Sequence, residues 1–442
     1  MPTADLEVNG AQGGAGGERA DRPALRRCTH LDPDLFADRI WGQESSLSSR
    51  EQLVGDFGDL FGLDSVDALV SRHGLRTPFL RVAKGGQTYP ASRFTRSGGV
   101  GATIADQVDD AALARLFADG ATIVLQGLHR THPPIVDFAQ QLTLDLGHPV
   151  QVNAYVTPRQ SQGFGDHYDV HDVFVLQVAG EKRWLVREPV LRHPTRDQPW
   201  TDHKAAVEAA ARRQPPLLDV VLRPGDALYL PSGFLHAAQA LGETSAHLTV
   251  GVHTWTRAHL LAQLVSTLEN VESLREPLPL GIDVADATSV GLELQETIDS
   301  LRAALQEDVV VEPVVRGLTR LAQVATRAAP VGPMAQARAL AAVDLETRLR
   351  WRASLGAEIS EIGGELTVRT VEVTFRLPAA AERGLRRLLA GETLPVAELG
   401  LGDERRGDEN GDDTTTDDIT VDDTARLEAA RTLLRSAVVT AE

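Results

Sequence analysis

The side chains best suited to redox chemistry converge on one segment, GFGDHYDVHDVFVLQVAGEKRW (163–184). His167 and Asp169 stand two apart in it. On a strand, residues i and i+2 point to the same face, so one strand can offer an imidazole and a carboxylate to one metal ion. The third ligand must then come from a strand lying alongside. LRPGDALYLPSGFLHAAQ (222–239) supplies a candidate, His236, just after a Pro-Ser-Gly turn. Two imidazoles and one carboxylate on one face of an octahedron leave open positions, the donor set of non-haem Fe(II) oxygenases, although manganese and nickel also accept it. The pair alone is a weak signal, because His30-Leu31-Asp32 has the same spacing without a partner strand. The β-rich setting and the ordered second motif single out His167, Asp169 and His236. The plainer reading is a hydrogen-bonded surface histidine pair.

The elements that must position these residues follow from the apolar spacing. VQVNAYVTP, DVFVLQVAG, KRWLVRE, LLDVVLRPGD, ALYLP and AHLTVGVHTW, between 149 and 255, are short β-branched or aromatic runs broken by Gly, Pro and Asp. Many short strands with turn signals predict a sandwich or barrel. An Ala-rich helix at 202–214 interrupts them. Upstream, 31–75 carries helical spacing, 109–120 reads as a short helix and 121–128 as a buried strand. Residues 1–27 read as a disordered tail. From about 257 to 355 long helical runs return. The last part is small and mixed, with a strand, a helix ending at Gly391, more helix in LPVAELGL and a final strand. The acidic run 403–423 reads as a solvated loop, and its Asp spacing does not fit an EF-hand.

Composition narrows the classes further. The chain has 442 residues, 44 Lys plus Arg against 62 Asp plus Glu, and a formal net charge of −18. Excess negative charge argues against nucleic-acid binding, which needs a basic surface. The single cysteine, Cys28, excludes a disulfide scaffold, a Cys-rich zinc site and an iron–sulfur cluster. It falls in a stretch that reads as flexible, which speaks against a nucleophilic role. GGVGATIAD (98–106) lacks both G-x-G-x-x-G and a Walker lysine, and no G-x-S-x-G elbow occurs. The start shows no secretory signal and no stretch of about 18 apolar residues occurs, so a cytoplasmic protein is expected, with no membrane partner.

DHYDVHDVFVLQVAGEKRW, LRPGDALYLPSGFLHAA and SAHLTVGVHTW, in that order, resemble the JmjC-type cupin oxygenases known as ribosomal oxygenases. The resemblance spans roughly 30–255 and is densest over 150–255. It implies an α+β architecture: a double-stranded β-helix (cupin/JmjC) catalytic core at 28–255, a helical dimerisation domain at 256–360, and a C-terminal winged-helix-like domain at 361–442 carrying the acidic loop 403–423. It also implies an Fe(II)- and 2-oxoglutarate-dependent hydroxylase acting on a protein side chain, with a basic ribosomal protein as client and a homodimer as the working form. His167, Asp169 and His236 match the iron ligands. Lys182 matches the cation that pairs with the distal carboxylate of 2-oxoglutarate, where a dianion in a dry pocket requires one; outside the resemblance it would read as a hairpin-turn lysine. Tyr155 and Asn153, two apart and hence co-facial, match positions lining the same pocket. One departure stands out. Where family members often carry a Ser that helps hold the co-substrate, this chain has Gly251, so a hydrogen bond is expected to be lost there, with Thr249 able to contribute. His247 reads as a packed strand residue, and His171 and Asp172 as groups that orient ligands or face the substrate. Two other functions fit the same residues: this chemistry on a peptide or small-molecule natural product, and a non-catalytic cupin that binds a partner. No chromatin-reading or DNA-reading module is evident; Arg383, Arg386 and Arg387 read as a helix face.

Overall fold

The computed structural model describes residues 21–101, 103–161, 165–305, 311–400 and 421–442. The acidic loop expected at 403–423 lies outside them as far as residue 420. The chain divides into two compact units: 1–147 with 151–251, and 148–150 with 252–442.

The first unit contains eleven strands among the described residues: β1 (Ser46–Ser48), β2 (Leu80–Lys84), β3 (Gln87–Thr88), β4 (Thr95–Arg96), β5 (Gln107–Val108), β6 (Thr122–Leu125), β7 (Val150–Thr157), β8 (Asp172–Arg187), β9 (Leu218–Leu222), β10 (Ala227–Leu230) and β11 (Leu235–Val252). Nine of them form one sheet in the order β1-β10-β8-β11-β7-β6-β2-β3, with β9 on β8. Strands distant in sequence lie side by side in this order, which is what brings 167 and 236 together. The runs DVFVLQVAG and KRWLVRE are one strand rather than two. Val173–Leu176 pair with β10 and Lys182–Val186 with β9. The bend between them falls at Gly180, which has φ +60°. A Cβ at Gly180 would lie 2.2 Å from the Thr244 carbonyl oxygen, so no other residue fits. Val173, Val175, Trp184, Val186, Leu222, Leu228, Leu230 and Phe234 bury a core between the strands.

The N-terminal segment is more ordered than its composition suggests. Leu25–Arg27 form a 3-10 turn, and the Ala24 and Leu25 N–H groups donate to Asp145 Oδ2 at 2.7 and 3.0 Å. The tail expected over 1–27 therefore ends before residue 24; one buried leucine and a remote carboxylate fix the turn. Cys28 is buried rather than flexible, and burial pushes its thiol up to about 12. Phe36 and Trp41 pack on Tyr229, with ring centroids 5.0 and 5.9 Å apart. The second His-x-Asp pair is structural: His30 Nδ1 meets Ser48 Oγ at 2.8 Å, and Asp32 caps the helix Pro33–Arg39. The insert between β8 and β9 holds a 3-10 turn at Trp200–His203 and the helix Lys204–Arg213, whose Val207 and Ala210 pack on Tyr168 and Leu235.

The second unit begins with helices Arg257–Leu268, Ala287–Leu305, Val311–Ala325 and Pro333–Ala342. The helical run expected to continue to 355 stops at Ala342. Residues Arg348–Trp351 form β12, paired with β16 (Thr393–Pro395) and β17 (Val439–Ala441). The sequence boundary at 360/361 thus cuts through this layer, because Leu349 and Trp351 alternate into the same core as Leu385, Leu433 and Val439. A second sheet follows: β13 (Glu358–Ile362), β14 (Glu365–Arg369) and β15 (Thr374–Pro378). LPVAELGL, expected as helix, is the end of β16 followed by a 3-10 turn at Val396–Glu398. Arg386 pairs with Glu382, and Arg387 with Glu392 and Glu398.

Gly180→Ala should cost about 2–4 kcal/mol, since it combines a positive φ with a backbone collision. Urea unfolding of the two proteins followed by circular dichroism measures the difference.

Candidate metal centre and its cavity

His167 and Asp169 do not lie on a regular strand; β8 starts only at Asp172. His167 instead forms an isolated bridge with His236 at the head of β11. The two residues exchange backbone hydrogen bonds, His167 N–H to His236 O at 3.1 Å and His236 N–H to His167 O at 2.8 Å. Two residues beyond His167, the Gly233 N–H donates to the Asp169 carbonyl at 2.9 Å. Gly233 sits in the Pro-Ser-Gly turn at φ +86°. The co-facial placement expected of i and i+2 on a strand is thus enforced here by a partner segment.

The imidazole rings of His167 and His236 lie 4.3 Å apart between centroids. Nδ1 of His167 faces the Gly165 carbonyl at 2.8 Å, and Nδ1 of His236 faces the Phe234 carbonyl at 3.1 Å. A ring nitrogen facing a carbonyl must carry the proton, so in each neutral ring the lone pair sits on Nε2. His236 Nε2 is 3.8 Å from Asp169 Oδ2. One ligand atom from each of His167, Asp169 and His236 lies within 4.8 Å of the others, the only such cluster of three among the described residues. Burial pushes His236 down to about 4, with His167 adding to the effect. Burial alone would raise the Asp169 carboxyl, but the three neighbouring histidines outweigh it and hold it below its usual range. Two imidazole Nε2 atoms beside a carboxylate are the donor set a divalent cation requires.

The same cluster opens into a cavity of about 70 Å³. Lys182, expected from its turn-like sequence to be solvent-exposed in the absence of the resemblance, is buried on the second half of β8. Its Nζ lies 3.3 Å from Thr157 Oγ1, 3.5 Å from His247 Nδ1 and 5.9 Å from the Trp184 ring centre. Burial pushes the Lys182 ammonium down to about 7. Arg183 points the other way, to Asp219 on the surface. Tyr155 and Thr249 line the cavity, and Tyr155 stacks on His247 at 5.2 Å with the rings nearly parallel. The sequence does not single out Thr122, Thr157 or Trp184, yet all three line it. Their roles depend on cross-strand neighbours, which spacing along one strand does not report. The Trp184 indole N–H is buried without a hydrogen-bond partner among the described residues.

Two expectations need correction. Asn153 shares the Tyr155 face but is absent from the cavity wall; its amide oxygen accepts the Gly127 N–H at 3.0 Å. Gly251 is not among the residues that line this cavity. The space where its Cβ would stand is taken by the His171 ring, whose Cδ2 and Nε2 lie 2.5 Å from that point. Asp172 is buried and accepts from the Tyr229 hydroxyl and, at 2.9 Å, from the Ser232 N–H, which clamps the turn preceding His236.

A family model described as the JmjC domain matches residues 133–260. The chain carries a JmjC domain. Ribosomal oxygenase 1 of Rattus norvegicus is 31% identical over 289 residues, covering 64% of this chain and 45% of the relative. The bifunctional lysine-specific demethylase and histidyl-hydroxylase NO66 of Drosophila persimilis is 34% identical over 185 residues, covering 39% of this chain and 26% of that protein. The chain therefore spans less than half the length of these curated relatives. A crystal structure of the Escherichia coli ribosomal oxygenase YcfD aligns with TM-score 0.52 at 17% identity, covering 93% of this chain and 98% of that one. A structure of YcfD with cobalt and succinic acid aligns at TM-score 0.50 and 16% identity, with the same coverage. The triad and most of the cavity wall fall inside the JmjC match.

A lysine whose pKa is about 7 folded and near 10.5 unfolded is destabilising below pH 7, and the penalty fades as pH rises towards 10.5. Lys182→Met should therefore raise the melting temperature of the ligand-free protein at pH 6 more than at pH 10. Differential scanning calorimetry at both pH values checks this.

Proposed function

We propose that the protein is an Fe(II)- and 2-oxoglutarate-dependent oxygenase that hydroxylates a side chain of a basic ribosomal protein. The observation that carries this reading is a two-His, one-carboxylate cluster sharing one small cavity with a buried lysine. A buried cation with no carboxylate beside it is costly unless an anion arrives to pair with it. His167, Asp169 and His236 would hold the metal, and Lys182 with Thr157 would hold the far carboxylate of the co-substrate. Bound Fe(II) and 2-oxoglutarate supply the oxidising power that places one atom of dioxygen on a C–H bond, releasing succinate and CO2. Tyr155, Thr249 and the Trp184 indole N–H offer further hydrogen bonds inside the cavity, and the Trp184 and Tyr155 rings exclude water from it. The backbone bridge between 167 and 236 holds two of the three ligands in place before any metal binds, which limits the reorganisation that binding requires. The names of the similar proteins support ribosomal protein as the client class, and the net charge of −18 favours encounter with a basic one.

The remaining organisation is proposed on the same footing. Residues 28–255 act as the catalytic domain, the helices from 256 onward as the dimerisation domain, and the last part as a winged-helix-like module that does not bind DNA. Leu260, Leu261 and Val265 stand exposed along one helix and Val311 and Val315 along another, apolar faces that a second copy would cover. Among the described residues no helix is long and apolar enough to cross a membrane, and a cytoplasmic location is proposed with it.

Purified protein given Fe(II), 2-oxoglutarate and total ribosomal protein should release succinate and add one oxygen to a client, read by mass spectrometry. His167→Ala should reduce turnover by at least about a thousandfold, because two remaining ligands hold the metal poorly. Succinate release with no oxidised ribosomal protein would redirect the search to peptides or small molecules. Light scattering after size-exclusion chromatography should give twice the chain mass, and Leu261→Asp with Val265→Asp should halve it.

A further inference from the structure

The segment that carries two of the three metal-binding side chains has no regular structure of its own, since β8 starts only at Asp172. Beyond the bridge to His236, its side chains run to the insert between β8 and β9. That insert leaves and rejoins the sheet at one point, where the Leu217 N–H donates to the Val186 carbonyl at 2.7 Å. Tyr168, between the two metal-binding residues, is buried, and its hydroxyl donates to the Gln198 carbonyl at 2.9 Å. The Trp200 ring centre stands 6.3 Å from that of His167. Asp166 is reached through Arg187, the buried last residue of β8, whose guanidinium donates to Asp166 Oδ1 at 2.6 Å and to the Gln214 carbonyl at 3.3 Å. Gln214 caps the C-terminal end of the helix Lys204–Arg213, so its carbonyl stands at the negative pole of that helix. One buried cation therefore ties the residue before His167 to the end of the insert. The turn before His236 meets the same insert: a Cβ at Gly233 would lie 2.2 Å from the Leu191 carbonyl oxygen and 3.1 Å from Pro194 Cδ. None of Tyr168, Arg187, Gln198 and Gln214 lines the metal cavity.

We propose that the insert over 188–214 is the positioning element of the metal centre, and that Tyr168 and Arg187 are the positioning residues that couple it to His167 and Asp169. The inference rests on the reading above that these two residues and His236 hold a divalent metal. A ligand segment free to sample other conformations must be ordered as the metal binds, which weakens binding. Here the side chains on either side of His167 are anchored beforehand. The two anchors differ in kind. Tyr168 adds a neutral hydrogen bond from a rigid, buried ring to a backbone carbonyl. Arg187 adds a short charge-assisted bond to a carboxylate, and its fork reaches two acceptors at once, whereas a lysine supplies only the charge. Arg183, on the same strand, pairs instead with the exposed Asp219 and serves as the control.

The test uses the full chain and cobalt(II), titrated by its visible absorbance at a temperature well below the melting point of each variant. Tyr168→Phe keeps the buried ring and removes only the hydroxyl. Tyr168→Phe and Arg187→Met should each weaken cobalt(II) binding by about tenfold, and Arg187→Lys should recover at least about threefold of the Arg187→Met loss. The absorbance bands of the bound cobalt(II) should change in intensity in Tyr168→Phe and Arg187→Met, a signature that a loss of fold stability alone does not produce. Arg183→Met breaks only a surface pair and should bind cobalt(II) within about twofold of wild type. Binding within about twofold of wild type in both Tyr168→Phe and Arg187→Met overturns the proposal. So does an equal loss in Arg183→Met, which would trace the effect to β8 as a whole. Wild type that binds no cobalt(II), or whose binding survives His167→Ala undiminished, refutes the metal-centre reading, and this inference falls with it.

Discussion

Everything chemical in this molecule depends on a two-bond backbone exchange between His167 and His236. Sixty-nine positions separate them, as the difference of their numbers shows. His167 needs no strand of its own, because His236 at the head of β11 supplies the partner it lacks. Closing so long a loop is entropically costly, and the sheet meets that cost elsewhere: β10 and β11 both lie against β8, so the segments before and after it are delivered side by side. The Gly233 N–H on the Asp169 carbonyl and the Asp172 carboxylate on the Ser232 N–H then lock the two segments in register. The site is a consequence of strand order, and loop conformation adds only the final adjustment.

Lys182 illustrates a second constraint. A lysine in a turn would be hydrated and worth little. Here Gly180 bends β8 rather than ending it, so the chain continues inward and carries Lys182 into a dry wall between β7 and β11. Burying the ammonium there costs stability locally. Thr157 and His247 are the hydrogen-bond partners of the ammonium, and among the described residues no carboxylate pairs with it.

The triad was legible because its residue types are rare, its first two members are close in sequence and a turn motif marks the third. Lys182 was legible only by resemblance, since nothing local distinguishes a buried turn lysine from a solvated one. Thr122, Thr157 and Trp184 were not, because their proximity is set by cross-strand register. Asn153 shows the opposite error: the right face of the right strand, but a side chain already committed to Gly127. The helix-to-sheet boundary in the second unit was misplaced because Leu349 and Trp351 alternate over only one short strand, too brief a pattern to stand against the helical run before it. Residues 24–28 looked polar and loose because the carboxylate that orders them lies some 120 positions away.

The placement of Cys28 carries a consequence for durability. It is the single thiol in the chain, and methionine occurs only at positions 1 and 334. Iron handled in air sheds partially reduced oxygen, and thiolates are the first protein groups to suffer. Cys28 is both walled off from solvent and held almost entirely as the unreactive thiol at neutral pH. Among the described residues the sulfur most open to such damage is therefore the exposed thioether of Met334, while the thiol is spared.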